Sequence, residues 1–224
     1  MALLLAYGCG RTTVKGFWNS HSTDLTDIRA AEDQFADFAE LAVAAPESEA
    51  IAELDILYNF LAGNEVLYYI YSSWMEGAFY SLYSPCRNSA LFSHAVERML
   101  KDGVMTMEDI EPLARERSWM ENNLPGQEAT VPGVLLDGRR TVVIVLDFGC
   151  SSCHKALTEL KSNPICKDNR LVAINCGKGP VPDVPGWEYY SPDNAEAVFD
   201  PHMTPVYFII AADGSVDTSY TLVL

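Results

Sequence analysis

Basic residues are scarce in this chain. Lys and Arg number 15 against 31 Asp and Glu in 224 residues, a formal net charge of −16. That deficit excludes nucleic acid as a partner class, because phosphate binding draws on clustered Lys and Arg and gains from counterion release. It also argues against electrostatic adhesion to anionic lipid. No apolar run is long enough to span a bilayer, and no internal repeat or low-complexity tract occurs. Paired metal ligands are missing too. Cys150-x-x-Cys153 has no second pair at zinc-site spacing, so no metal is expected. What remains is 49% hydrophobic and 21% charged residues, enough to bury the core of one large domain or two ordinary ones.

The apolar pattern changes period along the chain. Residues 24–122 read as helices. Phe35, Phe38 and Leu41 recur at helical spacing in an acidic, Ala-rich stretch that Pro46 closes. Ile51, Leu54, Leu57, Tyr58 and Leu61 form the next stripe, stopped by Gly63-Asn64. The run Val66–Tyr71 is apolar and aromatic on all sides, which predicts a helix buried over most of its surface. Leu91, Phe92, Val96, Met99 and Leu100 follow Ser84-Pro85 and end at Lys101-Asp102-Gly103, a basic residue and a glycine where helix carbonyls lack partners. Thr106 is placed to cap a last helix carrying Ile110, Leu113 and the stem of Arg117. From residue 123 the pattern is α/β. Val131–Leu136, Asp137-Gly138 and Thr141–Leu146 predict a β-hairpin, its second strand central and covered on both faces. A helix over Cys150–Leu160, a buried strand over Leu171–Asn175 and a hairpin joining Val206–Ile210 to Tyr220–Leu224 through Asp213-Gly214 complete it. The expected divisions are 1–15, a tether; 16–122, all-α; and 123–224, α/β.

The tether carries a motif of its own. Leu5-Ala6-Tyr7-Gly8-Cys9 resembles a bacterial lipobox, in which small residues precede a cysteine that becomes lipidated. The preceding run has no positively charged segment, as the tail of a lipoprotein signal would read if the start lay further upstream. A lipidated Cys9 places the protein outside the cytoplasm, where disulfides persist. With Cys9 lipidated and Cys150 paired to Cys153, three of the six cysteines are left over, Cys86, Cys166 and Cys176. An odd remainder is not a disulfide framework. Cys86 reads as structural, Cys166 and Cys176 as buried thiols.

The chemistry concentrates at Gly149-Cys150-Ser151-Ser152-Cys153-His154, which follows a buried strand and opens a helix. Unpaired N–H groups in a first helical turn favour thiolate over thiol, and a second cysteine three residues on lowers the first pKa further. Cys150 is therefore the expected nucleophile, and Cys153 the thiol that resolves the mixed disulfide. Met203-Thr204-Pro205-Val206 precedes a strand, where a proline cannot serve a central ladder but fits a cis X–Pro bond.

These residues carry a resemblance. Asp147-Phe148-Gly149-Cys150-Ser151-Ser152-Cys153, with Leu157–Ser162 after it and Thr204-Pro205, resembles the thioredoxin-like proteins of Gram-negative bacteria related to the TlpA/ResA group. Gly16-Phe17-Trp18-Asn19 and Tyr83–Asn88 are similar to a helical domain of unknown function that precedes thioredoxin modules there. The resemblance implies an all-α domain followed by an α/β thioredoxin-like fold. It also implies exchange or reduction of disulfides in extracytoplasmic proteins by a periplasmic, lipid-anchored protein without a cofactor. Protein disulfides and an upstream thiol–disulfide electron donor are the implied partners. Thr204 and Pro205 are the implied substrate-facing residues. His154 and Asp147 are candidates for tuning the cysteine pKa. Departures from the pattern are visible: Phe148-Gly149 stands where thioredoxin has tryptophan, and Ile144 where it has a buried aspartate. Asp147 or Glu188 could substitute in proton transfer, and a closing helix is not evident before Leu224.

Other readings of the same residues stay open at this point. Cys150-x-x-Cys153-His154 also spells a c-type haem attachment, with His154 and Met203 as axial ligands. Zinc could take Cys150, Cys153, His154 and either Cys166 or Cys176. A non-catalytic binding module on a thioredoxin scaffold is the third alternative.

Overall fold

The computed structural model describes residues 13–21, 23 and 26–222. Cys9, most of the expected tether and Leu224 lie outside them. The chain forms two compact units, one ending at Arg117 and one starting at Ser118. Among the described residues no helix is long and apolar enough to cross a membrane.

The first unit is helical. Helix α1 (Ile28–Ala44) starts where Asp27 accepts hydrogen bonds from the N–H groups of Arg29 and Ala30, and it buries Ala31, Phe35, Phe38, Ala39 and Ala42 on one face. Helix α2 (Glu47–Leu61) follows Pro46, with Glu47 and Glu49 at its positive end. It buries Leu54, Leu57, Tyr58 and Leu61, and also Glu53, whose carboxylate accepts from the backbone of Gly16 and Trp18. Helix α3 (Glu65–Met75), capped by Asn64, departs from expectation. Val66 is 67% exposed, and the buried stripe is Tyr68, Tyr71, Ser72 and Met75. A run of apolar residues longer than the contact face leaves its surplus in water. One turn of π-helix (Glu76–Tyr80) continues it. Helix α4 (Ser89–Asp102) is capped by Asn88 and ends on Gly103 in the left-handed conformation. Helix α5 (Met107–Glu121) begins at Thr106, whose hydroxyl accepts from Asp109 N–H at 3.3 Å. Trp18, Phe35, Phe38 and Tyr71 meet at the centre with ring centroids 5.1–6.0 Å apart, Tyr71 edge-on to Trp18 and Phe35 and the other pairs tilted.

The second unit is a mixed five-stranded sheet. The strands are β1 (Thr141–Leu146), β2 (Arg170–Asn175), β3 (Glu188–Tyr190), β4 (Val206–Ile210) and β5 (Val216–Leu222), in spatial order β3-β2-β1-β4-β5. β1 runs parallel to β2 and antiparallel to β4. It is buried at all six positions, Thr141 included, as the apolar run Val142–Leu146 requires of a central strand. The expected hairpin upstream of β1 does not form. Both edges of β1 are taken, so Val131–Leu136 has no ladder to join; Pro132 lacks an N–H and Gly133 sits at φ +74°. Instead Gly126 donates to Val216 O, Val216 to Gln127 O and Ala129 to Gly214 O, alongside the start of β5. The final hairpin turns at Asp213-Gly214 as expected, though β5 begins at Val216 rather than at Tyr220.

Helix α6 (Ser151–Lys161) lies on one face of the sheet. Its Cys153, Ala156, Leu157 and Leu160 recur at helical spacing and pack with Val142, Ile144 and Leu146, the alternate residues of β1. Within the second unit, which starts at Ser118, Trp119 Nε1 donates to Glu196 O at 2.8 Å and Asn122 Nδ2 to Val198 O.

Candidate functional site

The parallel pairing of β1 and β2 sends both strands to the same edge of the sheet. There β1 passes through Asp147-Phe148-Gly149 into α6, and Cys150 is the N-cap. Cys150 N–H donates to Asp147 O at 3.0 Å and Gly149 N–H to Asp147 Oδ1 at 2.7 Å, so the turn is closed by one residue. The facing segment, Gly177-Lys178-Gly179 after β2, lies against it backbone to backbone. A Cβ on Gly177 would overlap the Asp147 side chain, and one on Gly149 or Gly179 would overlap the opposite main chain.

Two thiols three residues apart on one helix have opposite environments. Cys150 is partly exposed, and its sulfur lies 2.8 Å from Ser152 Oγ. That hydrogen bond, helped by the Cys153 backbone N–H, holds the Cys150 pKa below the ordinary thiol value. Cys153 is fully buried in the core under α6, and burial pushes its pKa up to about 11. Hydrogen bonding with the Asp147 backbone and the Thr204 side chain works the other way on it. The two cysteines approach to 3.4 Å, and each is a free thiol.

Thr204 therefore stands over the buried thiol, held by its own hydroxyl bond to Pro201 O at 3.3 Å, and the Thr204–Pro205 peptide is cis. The sequence-derived residues Cys150, Cys153, Asp147, His154 and Thr204-Pro205 thus gather at one sheet edge. Asp147 acts there through its backbone and as a turn cap. His154 commits Nε2 to Phe148 O at 2.7 Å; because a carbonyl only accepts, that nitrogen carries the proton. The same bond removes Nε2 from service as a haem or zinc ligand. Among the described residues no group of three or more His, Cys, Asp or Glu is placed to hold a metal ion.

Glu188 is elsewhere. Arg170, opposite Thr141 at the end of β1 remote from Cys150, grips both Glu188 oxygens at 3.0 and 2.6 Å, which lowers the Glu188 pKa. It is a structural ion pair, not a proton relay for the cysteines. Cys166 is buried under α6, and Cys176, just past β2, is buried with its pKa raised to about 12. Cys86 is buried in the helical unit before α4. All three are free thiols.

Two residues at the site escaped sequence reasoning. Ser152 was visible inside the motif, but only the helical turn shows that it, and not Ser151, reaches Cys150. Asn175 closes the apolar run Leu171–Ile174 and is 8% exposed. Its Oδ1 accepts from Phe148 N–H at 3.0 Å and Gly177 N–H at 3.1 Å, while Nδ2 donates to Gly177 O at 3.0 Å. A polar residue ending a buried strand was the available signal.

Comparison with known proteins supports the fold. No family model matches the chain, and no curated protein matches it. Among solved structures it is similar to a thioredoxin-like protein from Bacteroides caccae, with a TM-score of 0.73 at 14% identity, over 94% of this chain and 87% of that one. The chain is a helical region followed by a thioredoxin-like α/β fold.

Proposed function

We propose that the protein is a thiol–disulfide oxidoreductase that exchanges or reduces disulfides in extracytoplasmic proteins, related to the TlpA/ResA group. The observation that carries this reading is the split between Cys150, partly exposed with a lowered pKa, and Cys153, buried with a pKa near 11. A nucleophile and a resolving thiol need that asymmetry. Cys150 thiolate attacks one sulfur of a substrate disulfide, forming a mixed disulfide and releasing the other sulfur as a thiolate. Cys153, on losing its proton, then attacks Cys150 Sγ. The Cys150–Cys153 disulfide forms and the second substrate thiolate leaves. The substrate gains two electrons and the dithiol loses them, so an upstream dithiol donor must restore the pair. Thr204 and Pro205 beside the buried thiol are the segment against which a substrate would lie. Export and a lipid anchor at Cys9 complete the proposal on the strength of the lipobox-like sequence.

Trapping tests it. Cys153→Ser should accumulate a mixed disulfide between Cys150 and a disulfide peptide, seen as an adduct by mass spectrometry, whereas the wild type releases reduced peptide. A Cys150→Ser variant that reduces the peptide as fast as wild type would defeat the enzymatic reading and favour a binding module on the same scaffold.

A further inference from the structure

The turn before Cys150 is held by two side chains from outside it, and both act on one residue. Phe148 N–H donates to Asn175 Oδ1 at 3.0 Å, and Phe148 C=O accepts from His154 Nε2 at 2.7 Å. Asn175 comes from the end of β2 and His154 from the first turn of α6. The Phe148 ring is itself 1% exposed, packed in the core under α6 and edge-on to Tyr189 at 5.6 Å. Main chain and ring are thus fixed from three sides, two residues before the nucleophile. Asn175 also holds Gly177 by both its N–H and its C=O, and Gly177–Gly179 is the segment that lies on Gly149.

We infer that Asn175 and His154 are positioning residues that clamp Phe148 and thereby set the reactivity of Cys150. This rests on the reading of Cys150 as the attacking thiol. The thiolate is favoured only while its sulfur stays at the opening of α6, within reach of Ser152 and of the N–H groups of the first turn. A Phe148 backbone free to rotate would let the N-cap drift from that geometry. Neither Asn175 nor His154 touches the sulfur; both act through the backbone that carries it.

The experiment is alkylation of Cys150 in the fully reduced protein by iodoacetamide across pH, which needs no disulfide substrate. Removing one clamping bond, in Asn175→Ala or His154→Ala, should slow the reaction at pH 7 by about two- to tenfold, the range of one net hydrogen bond. The pH midpoint should rise with it. His154→Gln, whose amide can donate to the same carbonyl, should restore most of the wild-type rate. Because both bonds hold one residue, the double variant should slow by less than the product of the two singles. Wild-type rates and midpoints in both single variants, with only a lower thermal midpoint, would overturn the clamp and leave a stability role. Independent, product-sized effects would overturn it as a single device. A wild type that alkylates selectively at Cys150 yet exchanges no disulfide would sink the oxidoreductase reading and leave the clamp standing.

Discussion

The two ends of the sheet solve the same problem in opposite ways. At the end that carries Thr141 and Arg170, charge is matched to charge. Arg170, its side chain 6% exposed, binds Glu188 bidentately, Leu135 O and Tyr190 OH, and Asp137 pairs with Arg139 close by. At the other end the chain is held by backbone bonds, glycine contacts, the Asp147 carboxylate on Gly149 N–H and the Asn175 amide, and the sulfur of Cys150 takes neutral donors: Ser152, the Cys153 thiol and first-turn N–H groups. Neutral donors lower the thiol pKa without placing a full positive charge against the sulfur. One end secures the register of β1, β2 and β3, and the other presents a partly exposed thiol.

The largest effect should come from breaking the charged end. Arg170→Ala removes the guanidinium from a half-exposed Glu188, which keeps the Tyr190 hydroxyl at 3.1 Å, and strips Leu135 O of its donor; it should lower stability by about 1–3 kcal/mol. Urea unfolding measures this, and Cys150 alkylation in the folded fraction should stay at its wild-type rate. A variant that slowed alkylation as well would show that the two ends are coupled.

A pH titration of the reduced protein sharpens the comparison from the other end. Cys153 has a folded pKa of about 11, above the roughly 8.5 of a free thiol. Between those values the unfolded chain has released a proton that the fold retains, so stability must fall as pH rises through that window. Cys176, raised to about 12, adds to the same limb at its upper end. Cys150 has the opposite sign: its lowered pKa contributes stability above the unfolded value, lost as pH falls through the folded one. Thermal midpoints from pH 8 to 11 should decline, and Cys153→Ala should flatten the decline.

The smallest effect isolates one hydrogen bond. Ser152→Ala removes the 2.8 Å contact to Cys150 and should slow its alkylation at pH 7 by about two- to tenfold, with little change in melting temperature. The same substitution at Ser151, which makes no such contact, should leave the rate alone.

Much of the fold was legible from local pattern. The helix boundaries at Pro46, Asn64, Gly103 and Thr106 follow from caps and breakers whose chemistry acts within one turn. β1 declared itself central by five apolar residues in a row, Val142–Leu146, and Cys150 sits where strand gives way to helix. The strand expected at Val131–Leu136 misled because Asp137-Gly138 reads as a hairpin turn whatever lies beside β1. Its place was already taken by β2 and β4, partners more than twenty residues away. The burial expected over most of the Val66–Tyr71 surface held only in part, with Val66 left exposed, for a similar reason: apolar sequence states what a residue tolerates, and neighbours decide how much is covered.

The site divides along the same line. The sequence by itself determined that two thiols would share the first turn of a helix after a buried strand, since helical spacing and the propensities of Val142–Leu146 need no distant partner. Only the tertiary structure decided what each thiol would be. Burial under Val142, Ile144 and Leu146 raises Cys153, a serine one position before it lowers Cys150, and an asparagine from a neighbouring strand holds the turn between. Proton affinity depends on desolvation and on donors within a few ångströms. At this sheet edge those come from segments that only folding brings together.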